Sequence, residues 1–399
     1  MVVNVTQAPY NCDNTGVAPC LTALTSAIAA LAASSDDTNS LYFPTGTYLI
    51  ENSGNGLGLN INTSGVTLYG DGSSNSILVG HGNADASHGV GPLFLGGADT
   101  LHNVAIQDLG LESNSTAIYS GLWGLGLIYL AADTNGCAIR RCSFSTRNLC
   151  GLANNGFASG LLIEDCTFSL VGEHGIYIAS RSEDLVCRWN TLLGVASDAL
   201  GAVQTAISVK NSTRAQFYRN DISGNWRNSA FNPADFDNID LLFRDNAIHD
   251  MTYDGVVGVN CNYATIGTYA HNYFVDINHS GIIFTGTYPI ESITLFRNYF
   301  IRVGGVGRAV TIQSSVYRPT DIKLIGNRAI DCTQGYELDG CDGVDLHDNW
   351  ATRSPETANP GYYLLNAGQG AWAMSNNRSL GYTGNSIAAQ VEQTGNLFE

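Results

Sequence analysis

Charge is scarce in this chain of 399 residues: Asp, Glu, Lys and Arg make up 13%, with 18 basic residues against 35 acidic ones. A formal net charge of −17 excludes a general binder of nucleic acid or anionic membrane, which needs a basic face, although a local row of cations still suits one polyanionic chain. No apolar run approaches the ~20 residues that cross a bilayer. The opening MVVNVTQ lacks the basic-then-apolar layout of a signal peptide. Neither a nucleic-acid nor a membrane partner is expected. The ten cysteines include no C-x-x-C pair and no His–Cys spacing suited to zinc, so no thiolate metal site is expected. Cys12 with Cys20 is a candidate disulfide and Cys332 with Cys341 a second; other cysteines fall at inward repeat positions, where a thiol packs as a small apolar group. Only 9 prolines occur beside 45 glycines, so corners fall to Gly and Asn, which tolerate a left-handed backbone.

What is present is a hydrophobic content of 44% and a repeat. From about residue 100 a short strand, a polar corner and a second strand recur: IRRCSF, IEDCTF, CRWNTL, FYRNDI, FRDNAI, YAHNYF, LFRNYF, LIGNRA, LHDNWA, MSNNRS, QTGNLF. The recurring position holds Cys142, Cys166, Asn190, Asn220, Asn246, Asn272, Asn298, Asn327, Asn349, Asn377 and Asn396. Successive members lie roughly 19 to 30 residues apart, the irregular period of a coil built from three strands and three turns. An inward Asn at one corner of every coil can bond the backbone and the Asn of the next coil, about 4.8 Å away. Alternation in GIYIAS, AISVKN, GVVGVN, GIIFTG and AVTIQS buries every second residue and exposes the others, giving one outward-facing parallel sheet. The fold class is therefore all-β, a right-handed parallel β-helix of one structural unit over residues 41–399. Residues 1–40 form an N-terminal cap, in which Leu21, Leu24, Ile28 and Leu31 stand at the spacing of an amphipathic helix that covers the open end of the stack.

The helix followed by LYFPTGTYLI resembles the pectate-lyase-like superfamily, whose members often begin with a capping helix and an FPxGTY strand. The resemblance spans nearly the full chain. It implies the fold and a carbohydrate-active, secreted protein, but not the reaction, because lyases, hydrolases, epimerases, fructan-converting transferases and tailspikes share it. A monomer or a homotrimer is expected, with no apolar outer stripe in the sequence that demands a trimer.

Aligning coils on the Asn row sets Tyr177 and Lys210 outward on adjacent coils. His174 opens the Tyr177 strand beside Glu173, and the irregular segment NWRNSAFNPADFDN brings Trp226, Arg227, Asp235 and Asp237 towards the Lys210 side. Removing the C5 proton of a uronate and expelling its C4 oxygen needs a base, an acid and a group that neutralises the carboxylate. The pair resembles that of parallel β-helix alginate lyases, in which a Lys and a Tyr carry the elimination. By that resemblance Tyr177 and Lys210 are the proton-transfer pair, either one being the base. His174 completes the catalytic set, and Asn155, Arg181, Arg214, Trp226, Arg227, Asp235 and Asp237 line the substrate groove. An outward Lys or Tyr on a solenoid is ordinarily a plain surface residue; the meeting of three such groups on one patch is what singles these out. Taken singly, Arg181 and Arg214 read first as corner residues, and Trp226 as a residue packed under its loop.

Two rival classes stand beside elimination. A hydrolase or fructan-converting transferase needs an acidic pair, which Asp198, Asp235, Asp237, Asp240 and Asp254 are numerous enough to supply, although Asp184 and Asp240 fall at a corner where Asp commonly forms turns. A non-catalytic tailspike-type module needs only aromatic residues along the groove. No cofactor is expected: Asp235 with Asp237 could take calcium, yet no loop spells a calcium site.

Overall fold

The alternating pattern becomes, in a computed structural model, a succession of strands mostly two to seven residues long, joined by tight corners. The structure describes the chain apart from residues 37, 52–56, 82–90, 98, 114–125, 147–148, 170–172, 195–204, 235–237, 262–264, 287, 306, 315, 358, 366–371, 388–390 and 399. Two compact units, Met1–Val203 and Gln204–Glu399, divide it.

In the first unit each coil contributes a strand to sheet A, turns at the Asn-type corner into sheet B, and turns again into sheet C. Leu162–Glu164, Thr167–Ser169 and His174–Ile178 form one such coil. Its neighbours pair with it in parallel: Ile163 with Ile139 and Cys187, Phe168 with Phe144 and Leu192, Ile176 with Leu152. Like therefore stacks on like, and Phe144 lies on Phe168 with ring centroids 4.4 Å apart. The helix Leu21–Ala32 turns Leu24, Ala27, Ile28 and Leu31 inward and packs against the strands Asn39–Phe43, Gly46–Glu51 and Leu57–Ile61.

The second unit repeats the plan and carries the Asn column. The Asn246 backbone N–H and Nδ2 both donate to Asn272 Oδ1 at 3.0 Å, and Asn272 donates in the same two ways to Asn298 Oδ1. Each Nδ2 also reaches a carbonyl on an earlier coil, as Asn272 does to Phe243 O at 2.9 Å. The column continues through Asn327, Asn349 and Asn377 to Asn396. In the first unit Asn190 plays the same part, its Oδ1 accepting from Cys166 N and its Nδ2 donating to Ile163 O.

Immediately before each of these corner residues the backbone turns left-handed, often without glycine: Asp165 (φ 54°), Trp189 (56°), Asp245 (55°), His271 (54°) and Arg297 (50°). Such a residue costs roughly 1–2 kcal/mol. Hydrogen bonds from the buried Asn offset that cost, at about 0.5–1.5 kcal/mol each.

The candidate disulfides are not formed. All ten cysteines are buried thiols; Cys20 Sγ donates to Asp13 O at 3.1 Å, and Cys332 and Cys341 bond backbone carbonyls of Phe300 and Ile312. No helix among the described residues is long and apolar enough to cross a membrane.

Candidate functional site

On sheet C of the first unit one outward column runs Asn60, Phe94, Tyr129, Ala153, Tyr177, each in register with the next. Aromatic residues stand on both sides of one small residue. Cys150, Ala153 and Tyr177 cluster, and Tyr129 and Ala179 pack against them. The Asn155 side chain donates Nδ2–H to the Tyr129 hydroxyl at 3.0 Å, which fixes that phenol along the same groove.

His174 stacks on Tyr177 with ring centroids 4.8 Å apart and planes 9° apart. Residues three apart on a regular strand project to opposite faces. The paired register with the preceding coil begins only at Leu152 and Ile176, so the strand is irregular over His174 and Gly175, and this lets the imidazole reach the outer side. Glu173 stands next to it, its Oε2 3.8 Å from Cys150 Sγ. Sequence alternation puts Tyr177 on an open surface; in the structure it is only 4% exposed and His174 only 5%, so the pair is roofed over on the outward face. Burial of this kind strengthens electrostatic interactions around the two rings.

The other expected residues separate into distinct settings. Lys210 belongs to the second unit, directly after the strand Thr205–Val209, and its carbonyl accepts from Ser212 Oγ at 3.2 Å. Arg181 is exposed, ion-paired with Glu183 at 2.5 Å and set over the Phe157 ring. Arg214 occupies a left-handed corner (φ 55°), as do Asp184 and Asp240 in their own coils. Arg227 lies over Tyr253. Trp226 packs under its loop, as one of its two sequence readings has it, and its place in the substrate groove falls: it is fully buried, with Nε1–H donated to Ser223 O at 3.0 Å. Asp198, Asp235 and Asp237 lie outside the described residues.

The sequence reading missed Glu337. On sheet C of the second unit it stands outward between Thr311 and Tyr363 of the neighbouring coils, buried, with Oε2 3.0 Å from an Arg308 guanidinium nitrogen. Burial holds its carboxyl above the usual carboxylate range; Arg308 opposes that shift and Asp339, two residues along, adds to it. GYELDG simply continues the alternating strings by one coil, and that signal was open to reading. A cleft of about 390 Å³ in the same unit is lined by Asn278, Gly304, Thr333 and a bidentate Arg302–Asp276 pair, with both bonds at 2.6 Å. The guanidinium holds the Asp276 carboxyl below its usual range. Among the described residues no three His, Cys, Asp or Glu side chains converge as a metal site.

The family described as rhamnogalacturonase A/epimerase, pectate lyase-like, matches residues 2–232, more than half of the chain, including His174, Tyr177 and Lys210 and ending before Glu337. The chain belongs to this family. A search of curated protein sequences finds no match. Solved structures of the same pectate-lyase-like architecture are similar over most of its length. A surface adhesin of Streptococcus pneumoniae is 13% identical, with a TM-score of 0.69 over 91% of each chain. The A-module of a mannuronan C-5 epimerase from Azotobacter vinelandii is 15% identical, with a TM-score of 0.58 over 99% of each. The catalytic unit of a thermostable α-1,3-glucanase from Streptomyces thermodiastaticus is 14% identical, with a TM-score of 0.57 over 99% of this chain and 68% of the other. At such identities these likenesses carry the fold, and within this family the reaction must be argued from the side chains.

Proposed function

We propose that this protein is an extracellular polysaccharide lyase that cleaves a uronate-containing, alginate-like polymer by β-elimination. The stacked His174–Tyr177 pair on the outer side of sheet C carries the reading. Tyr177 takes the proton from C5, next to the sugar carboxylate; the C4–oxygen bond then breaks and the phenol passes that proton to the departing oxygen. The product carries a C4–C5 double bond and no water is consumed. His174, held flat against the phenol, orients it and offers a ring N–H to the carboxylate. The epimerase module supports the reading through its named chemistry, because inversion at C-5 of mannuronan begins with loss of the same proton.

The test is incubation with a panel of polyuronates and neutral polysaccharides, followed by ultraviolet absorbance and reducing-end assays. Absorbance rising with new chain ends on a polyuronate is expected, and it should survive a chelator. New reducing ends without absorbance would reject the proposal; activity abolished by the chelator and restored only by calcium would overturn the expectation that no metal is needed.

Glu337 supports a second reading. Alternate residues on one strand share a face with backbones about 6.6 Å apart, within reach of the roughly 6.5–9.5 Å that separates the carboxyl groups of inverting glycosidases. A buried acid with a raised pKa beside Asp339 therefore suits a hydrolase pair. Loss of reducing ends in Glu337→Gln, with no unsaturated product in the parent protein, would select this reading over elimination.

A further inference from the structure

On the outer side of sheet B, in the second unit, five residues of successive coils stand in register: Tyr273, Tyr299, Arg328, Trp350 and Arg378. Their side chains form one continuous stack. Tyr273 and Tyr299 are parallel with centroids 5.0 Å apart. The Arg328 guanidinium lies between the Tyr299 ring at 5.7 Å and the Trp350 ring at 4.8 Å, and that of Arg378 covers the same indole at 4.9 Å. The sequence shows no outer stripe because its members are of mixed type and more than 20 residues apart; only the coil brings them together.

Elsewhere in this acidic chain the arginines are mostly neutralised: Arg141 by Asp108, Arg188 by Glu164, Arg302 by Asp276 and Arg308 by Glu337. Arg328 and Arg378 are exposed, and among the described residues neither has a carboxylate partner. A guanidinium held over an aromatic ring by cation–π attraction still carries N–H donors that the ring does not use. Each therefore keeps a fork of the kind that binds a carboxylate through two hydrogen bonds. Two coils separate the forks, or about 9.6 Å, an advance of roughly two sugars along an extended polysaccharide, whose alternate residues present carboxylates to the same side.

We propose that this strip is a second docking surface, on a different sheet from the catalytic one, for a polyanionic polysaccharide chain lying along the solenoid. The two arginine forks hold its carboxylates, and the aromatic residues keep the forks in place. Retention is read without turnover, so the strip is tested separately from the elimination chemistry.

The experiment is native electrophoresis of the full chain in gels cast with polygalacturonate or with uncharged dextran. Retardation by polygalacturonate alone, weakened by added salt, is expected of the parent protein and of Tyr177→Phe. The double variant R328Q/R378Q should need about tenfold more polymer for equal retardation, with its melting temperature unchanged. Where glutamine lowers that temperature, R328K/R378K carries the test: it keeps the charge but loses the fork, and should bind several-fold more weakly. Parent-level retardation of either double variant, absence of retardation in the parent, or a parent oligomer that the glutamine pair converts to a monomer in sedimentation would each overturn the proposal.

Discussion

The imidazole of His174 and the phenol of Tyr177 stand face to face although only two residues separate them on the same strand. That arrangement fixes the tyrosine ring plane, and in the proposed elimination the hydroxyl is the reacting end. Tyr177→Phe keeps the stack and removes only the oxygen. Turnover on a polyuronate should fall by about 10²–10⁴-fold, the usual share of a positioned proton-transfer group, with an unchanged circular-dichroism melt. Activity within a factor of a few of the parent would remove Tyr177 from the mechanism.

The Asn column makes its own demand. In Asn272→Ala the Asn246 backbone N–H and Nδ2 both lose their acceptor, and Phe243 O loses a donor, all in the buried interior. A loss of about 2–4 kcal/mol is expected, more than one ordinary hydrogen bond contributes, because the remaining groups stay buried without partners. Urea unfolding of the variant should show it. A similar cost for Asn225→Ala, where a half-buried Asn accepts from Thr252 Oγ1, would undo the argument.

Asn154 is the converse. It is fully buried on the inward face, in register with Leu130 and Ile178, and neither its Oδ1 nor its Nδ2 has a hydrogen-bond partner among the described residues. Replacing an unsatisfied buried amide with a hydrocarbon of similar size removes a penalty of about 1–3 kcal/mol. Asn154→Leu should melt at a higher temperature than the parent; a lower one would show that the amide serves the fold.

Acid sensitivity of the N-terminal segment follows from Asp13. Its carboxylate accepts from Ala18 N at 2.7 Å, from Thr15 through both hydroxyl and backbone, and from Val17 N, and these bonds lower its pKa from 3.8 to about 2. A depressed carboxyl contributes stability that is complete above the unfolded value and is lost as pH falls through the folded one. The gap in melting temperature between the parent and Asp13→Ala should therefore be full above pH 3.8 and close towards pH 2. A gap that stays constant over that interval would contradict the assignment.

The Asn column was legible in the sequence because one residue type does one job at one corner of every coil, so its spacing survives loops of different length. The outward register of Tyr177 was read from the same alternation. Its burial was not, since alternation reports which way a side chain leaves the strand and says nothing of what later covers it. His174 reached the outer side through an irregularity that a period of two cannot express. Glu337 was missed although its string fitted the pattern, and Trp226, grouped with the groove residues, packs under its own loop, the other reading its segment allowed.

Every bond between side chains in the Asn column runs the same way: the earlier rung gives the hydrogen and the later rung receives it, down to Asn396. The unit thus has a polarity, and its two ends are not equivalent. Shaving rungs from the carboxyl end strips the acceptor from the last one left, so damage there should fray inward one rung at a time.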